Sequence, residues 1–334
     1  MKWQKYSLLM VMSLFLIMAC GGEEQPDDKD IINPQVTVKP VSIPSFDAEN
    51  AYNMVAKQVA FGPRLPNTKE HQATSKWLVE QFNLYGAKVI QQDFIAKRYD
   101  GVNLKSKNII ASFNTDNSDR ILLCAHWDTR HVADHDPDKS RYNEPILGAD
   151  DGGSGVGVLL EIARILGQDS SFKHGVDIVL FDSEDHGAPS GTQGGSESWC
   201  LGSQHWSKAP HVANYKAKFG ILLDMVGSKS PRFTKEGTSM QYAPTVMNKV
   251  WDIASSLGYG AFFDPTTTSA ITDDHYFVNT LIGIPTIDII NKDLSTQSNF
   301  GQHWHTHKDN MDVIGKGTLK AVGQVVLTVL YKED

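Results

Sequence analysis

The stretch VDIVLFDSEDHG, residues 176–187, decides the fold. Its run IVLF has no polar alternation, as expected of a strand covered by helices on both faces. It then leads straight into three acids, Asp182, Glu184 and Asp185. In an open α/β sheet the carboxyl ends of the strands carry the ligand crevice, so acids gathered there point to a site. Working outward, strands and helices alternate. On the N-terminal side lie the amphipathic helix HQATSKWLVEQFNLYG (71–86), the strands NIIASF (108–113) and RILLCAHWD (120–128), and the helix VGVLLEIARILG (156–167). On the C-terminal side come the strand FGILLDMVG (219–227), the helix TVMNKVWDIASSLG (245–258), the strand IPTIDII (284–290) and the closing helix LKAVGQVVLTVLYK (319–332). The pattern predicts an α/β three-layer sandwich with a mixed, mainly parallel central sheet.

The chain has 334 residues, 40% of them hydrophobic, enough for one large core, expected over residues 46–334. A net charge of −8 and the lack of a basic stripe exclude nucleic acid as a partner. Residues 1–19 read as a signal peptide: Lys2 and Lys5 precede an apolar run too short to span a bilayer. The run ends IMAC followed by GG, like a bacterial lipobox, with Cys20 as the lipidated first residue and 20–45 as a polar tether containing Pro26, Pro34, Pro40 and Pro44. A cleaved signal with an incidental cysteine, or an uncleaved anchor, are the alternatives. The lipoprotein reading places the domain outside the cytoplasm, in the periplasm or at the outer membrane, touching a membrane only through its lipid. Cys124 and Cys200 have no zinc-like spacing; buried inert thiols are the default, and a bridge between them stays open.

Several polar segments carry chemistry. GADDGGSG (148–155) is a glycine-rich turn opening a helix, but it lacks a Gly-Lys-Ser/Thr ending, and Asp150 and Asp151 repel an anion. Ser154 has no nucleophile-elbow frame. The segment is either a capping turn or a metal-binding one. The acids of DSED repel and raise one another's pKa unless solvated or bound to a cation, and neighbours of this kind can divide labour as ligand and general base. Asp224 ends the run GILL, ITDDHYF (271–277) sets Asp273 and Asp274 before His275, and Asp288 lies between isoleucines, where it needs a hydrogen-bonding network. HWHTH (303–307) offers His303, His305 and His307. Histidines and carboxylates scattered along the chain at strand ends fit a catalytic zinc with three protein ligands and one open position.

Taken together, AHWD, GADDGGSG, FDSED, LLDMVG and HWHTH occur in the order shown by the zinc-dependent M28 peptidase clan, and from about residue 50 the chain resembles the glutaminyl cyclases of the animal and Bacteroidota type. The resemblance implies one zinc held by Asp151, Asp185 and His305, catalytic Glu184, and Asp273 sharing a proton with Asp224. It also implies substrate-binding walls at Trp199 and Trp304. Animal members have glutamate where Asp185 stands and histidine where Asp288 stands. The implied reaction turns N-terminal glutamine of peptides and proteins into pyroglutamate with release of ammonia. The runner-up is a two-zinc aminopeptidase of the same clan, with His126 and Asp224 on the second metal and Asp151 as bridge. A peptide-binding lipoprotein without catalysis leaves Glu184 without a role.

Overall fold

The strands that are apolar throughout form the middle of a six-stranded sheet in the computed structural model, which describes residues 42–189 and 191–333. The signal peptide, Cys20 and the tether as far as residue 41 lie outside the described residues. Val41–Asp334 form one compact unit. In chain order the elements are α1 (Ala48–Phe61), α2 (Lys69–Leu84), β1 (Lys88–Lys97), β2 (Asn103–Phe113), β3 (Arg120–His126), α3 (Gly153–Gln168), β4 (Gly175–Phe181) and α4 (Leu201–Lys208). There follow β5 (Gly220–Asp224), β6 (Phe233–Lys235), α5 (Gly237–Tyr242), α6 (Pro244–Ser256), β7 (Phe263–Thr267), α7 (Asp274–Phe277), β8 (Thr286–Ile290) and α8 (Lys316–Tyr331).

The sheet order is β1-β2-β4-β3-β5-β8. β1 pairs antiparallel with β2 and β2 with β4, whereas β4, β3, β5 and β8 run parallel. This is the mixed, mainly parallel sheet expected from the sequence. Alternate residues of β3 serve two cores, because side chains on a strand point to opposite faces. Ile121, Leu123 and Ala125 pack with α1, α3 and α8 in the larger core. Leu122 and Cys124 face the smaller one, with Phe181, Trp206 and Val278. Cys124 and Cys200 are both free and buried, so no bridge forms between them.

Local chemistry explains the element boundaries that matter for the site. β4 stops at Phe181 and β5 at Asp224, so the acids leave the sheet in turns. α3 has no side-chain cap, and its N-terminal neighbour Gly152 adopts φ 84, where a Cβ would strike the Asp128 carbonyl and the His126 ring. Only glycine lets the Asp150–Asp151 turn sit this close to the end of β3. Among the described residues no helix is long and apolar enough to cross a membrane.

Candidate active site

Turns at the carboxyl ends of β3, β4 and β5 meet the turn before α3, the 303–307 loop and the start of α7. Four of the side chains involved stand on or beside left-handed backbone: Ser183, Cys200, Met225 and His305 have φ of 60, 56, 48 and 53. Each such non-glycine residue costs roughly 1–3 kcal/mol and persists only where its surroundings over-determine it. The cost falls where the chain must turn side chains into one cavity.

Asp151, Asp185 and His305 are buried, and their ligand atoms lie within 4.8 Å of one another. His305 Nε2 is 3.1 Å from Asp185 Oδ1 and 3.7 Å from Asp151 Oδ2. Both Asp185 oxygens are buried and receive no hydrogen bond. Burial and the Asp151 charge push the Asp185 carboxyl up to about 6. Two carboxylates and an imidazole facing one another, with the Asp185 oxygens left without donors, fit a zinc site that leaves a position open. The turns that carry them are clamped by two further buried aspartates. Asp309 accepts the Asp150 and Asp151 amides at 2.7 and 3.0 Å. Asp128 accepts those of Glu184 and Asp185, both at 3.1 Å. Buried Arg64 ties the same region together by donating to the carbonyls of Trp127, Leu147 and Gly148.

The neighbouring candidates have other partners. Asp150 Oδ2 is 2.7 Å from His303 Nε2, and its Oδ1 accepts the Gly227 amide at 2.7 Å, so Asp150 supports the turn. His307 Nδ1 lies 2.9 Å from Asp136 Oδ2. Asp182 turns away to His71 Nε2 at 2.8 Å and the Lys107 amide at 2.6 Å. His275 pairs with Glu236 at 3.0 Å through Nε2.

Glu184 and Asp273 face the same cavity of about 270 Å³, walled by Trp199, Trp304, Ile271 and Phe300. Burial, reinforced by Asp273 and Asp185, holds the Glu184 carboxyl well above the usual range, and Cys200 Sγ lies 3.1 Å from its Oε1. Asp273 Oδ1 accepts the Asp274 amide, and its Oδ2 receives no donor. Burial pushes Asp224 up to about 8; its Oδ1 is 3.2 Å from His126 Nε2. His126 Nε2 is also 3.0 Å from Asp151 Oδ1, so His126, Asp151 and Asp224 form a second set of donors within 4.8 Å of one another. Asp288 is close to Asp273 and His275, yet both of its oxygens lack a donor and burial raises its carboxyl well above the ordinary value. The network expected around it runs through Asp273, whose carboxyl adds to burial in raising that of Asp288. Both tryptophans lie nearly parallel to the His305 ring: Trp304 at 3.7 Å and 23°, Trp199 at 5.9 Å and 9°.

Sequence reasoning missed Arg64, Asp128, Arg130, Asp134 and Asp309. Of these only Asp128 carried a signal, as the aspartate that closes AHWD.

The model of peptidase family M28 matches residues 108–330. The solved Bacteroides thetaiotaomicron glutaminyl cyclase is 51% identical, covering 88% of this chain and 100% of its own, with a TM-score of 0.85. A Zn-dependent exopeptidase from Parabacteroides distasonis is 52% identical over 87% of this chain and 100% of its own, with a TM-score of 0.86. Aminopeptidase YwaD of Bacillus subtilis is 27% identical over 240 residues, 69% of this chain but 45% of that relative, so the chain spans less than half the length of that curated relative.

Proposed function

The chain belongs to peptidase family M28, and we propose that it is a zinc-dependent glutaminyl cyclase that converts N-terminal glutamine of peptides and proteins to pyroglutamate. The observation that carries this reading is the small indole-walled cavity with Glu184 on it and, beside Glu184, the partnerless oxygen of Asp273. A cavity of about 270 Å³ suits one side chain, and the two acids supply a proton acceptor and a hydrogen-bond acceptor for an amide NH₂.

Asp151, Asp185 and His305 would hold one zinc ion, which supplies Lewis acidity toward a carbonyl oxygen. Trp199 and Trp304 confine the aliphatic part of the glutamine and exclude water. Because the attacking amine and the side-chain amide belong to one residue, confinement alone lowers the barrier. The α-amine nitrogen bonds to the side-chain carbonyl carbon as Glu184 takes one amine proton. The bond to the amide nitrogen then breaks, and Glu184 returns the proton so that ammonia leaves. Asp273, next to Asp224, holds the departing nitrogen.

One observation favours a second reading, two-zinc aminopeptidase hydrolysis: the donors His126, Asp151 and Asp224 are also assembled. The test incubates the purified protein with a Gln-initiated peptide and with leucine p-nitroanilide. Ammonia and a peptide product lighter by one ammonia support cyclisation. Chromophore release without ammonia, together with two tightly held zinc ions per chain, refutes it.

For the cellular setting, the sequence of residues 1–20 supports a lipid-anchored protein of the periplasm or outer membrane. Cys20→Ser is expected to move the protein from the membrane fraction to the soluble one, and an unchanged membrane fraction would sink the anchor.

A further inference from the structure

Arg130 follows β3 by a few residues and is wholly buried. Burying a guanidinium is expensive unless its donors are used. Nε and Nη2 form a fork on Asp134, 3.2 Å from Oδ1 and 2.8 Å from Oδ2. Nη1 donates to the carbonyls of Asp185 and Gly187 at 3.0 and 2.8 Å. The guanidinium carbon lies 4.4 Å from the centre of the Trp199 ring.

Each partner belongs to a different part of the site. Asp134 Oδ1 lies 3.0 Å from His305 Nδ1, while Nε2 of the same ring faces Asp185 at 3.1 Å. The carbonyl of Asp185 anchors a metal donor from behind. Trp199 is a wall of the substrate cavity.

We propose that Arg130 is a positioning residue that joins the metal donors and the indole wall into one unit, so that metal affinity and substrate fit depend on the same guanidinium. A buried ion pair is a weak source of stability, since apolar side chains of similar volume often do as well. What it holds accounts better for its place here. Lysine does not replace it: an ammonium has three donors at a point and no flat face, against five donors in a plane.

The proposal rests on the cyclase reading only for its kinetic arm. Arg130→Lys is made in the full-length protein and read twice. Zinc affinity, from competition with a chelating indicator, needs no substrate; the dissociation constant is expected to rise about 10–100-fold, as when an outer partner of a metal-binding histidine is lost. With zinc saturating, KM for a Gln-initiated peptide is expected to rise about fivefold or more, the size of a coupling between touching side chains. The same change in a Trp199→Ala background leaves KM nearly unmoved, because the guanidinium acts on substrate through that ring. A zinc constant within about twofold of the parent's, well short of the loss expected of an outer partner, or equal KM increments in both backgrounds, overturns the proposal. If the parent itself forms no pyroglutamate, the cyclase reading fails and the zinc arm still decides the role of Arg130. Should Arg130→Lys not accumulate as folded protein, Asp134→Asn cuts the same fork from the acceptor side and is held to the same two criteria.

Discussion

Gly187→Ala tests the indole wall most directly. A Cβ built at residue 187 falls on Cγ, Cδ2 and Cε2 of Trp199, inside the van der Waals envelope of the ring. Non-bonded carbons settle at about 3.5–4.0 Å, so the ring has to retreat by more than about 1 Å. Its other neighbours limit where it can go: the Arg130 guanidinium is 4.4 Å from its centre and the His305 ring 5.9 Å. The remaining space is the cavity of about 270 Å³ that the substrate needs. A misplacement of about 1 Å near the chemistry costs on the order of 100-fold, or about 2.7 kcal/mol of transition-state stabilisation. Overpacking adds a stability cost of about 1–3 kcal/mol. The assay is ammonia release from a Gln-initiated peptide, with zinc content measured in parallel, and kcat/KM is expected to fall about 100-fold with zinc retained. In a Trp199→Ala background the same substitution finds empty space and is expected to be nearly neutral. If Gly187→Ala kept the parent's kcat/KM, or lost as much without the indole as with it, the wall would not be where the structure puts it.

Two further outcomes follow from other parts of the molecule. Glu184→Gln keeps the shape of the base but cannot take a proton; turnover is expected to fall at least about 100-fold with zinc content unchanged, and full activity would remove Glu184 from the mechanism. Far from the site, buried Asp177 accepts from Arg120 Nη2 at 2.7 Å, Ser112 at 2.5 Å and Tyr215 at 2.7 Å; burial opposes its charge, but His211 and these partners together hold the carboxyl below the usual range. A depressed folded pKa contributes stability that is present above the unfolded value of about 3.9 and is lost as pH falls through the folded value. Asp177→Asn is therefore expected to cost about 3–5 kcal/mol at neutral pH and to flatten the acid limb in urea unfolding; an unchanged midpoint at pH 7 would show that the partners contribute nothing.

The inner sheet was legible because its strands are apolar on both faces, and IVLF reads that way without any help. β1 was not, because it is an edge strand: Lys88, Asp93, Ile95 and Lys97 are exposed, and KVIQQDFIAK alternates imperfectly. Asp185 was legible as an acid after an apolar strand, whereas in the turn before α3 residue pattern alone could not separate Asp150 from Asp151. Both are buried, and what divides them is occupancy: Asp150 spends its oxygens on His303 and Gly227, residues distant in sequence. The supporting layer was hidden for the same reason. Asp309 reaches back to the amide of Asp150, and Arg130 to the carbonyls after β4, through pairings that have no local spacing to betray them. A network for Asp288 was legible from its place between isoleucines, and the structure sets it close to Asp273, one of the tandem aspartates, where burial and that neighbour raise its carboxyl.

The setting of Asp288 bears on the chemistry. Glu184, Asp224, Asp274 and Asp288 all stand above their ordinary range, each first because of burial, and Asp273 adds its own charge to every one of them. So many carboxyls cannot all ionise in a region this dry, and some must carry protons at neutral pH. A cluster of partly protonated acids is a poor way to stabilise a fold. It suits a reaction in which one proton leaves an amine and returns to ammonia, because a base works best when its pKa lies near the working pH. A cation held by Asp151, Asp185 and His305 would favour the ionised form of Glu184 without touching Asp288, which is fully buried and off the cavity wall. Burial and a bound cation would thus pull Glu184 in opposite directions. A site built for hydrolysis shares the metal donors and the base, but hydrolysis does not call for a buried Asp288 set close behind Asp273.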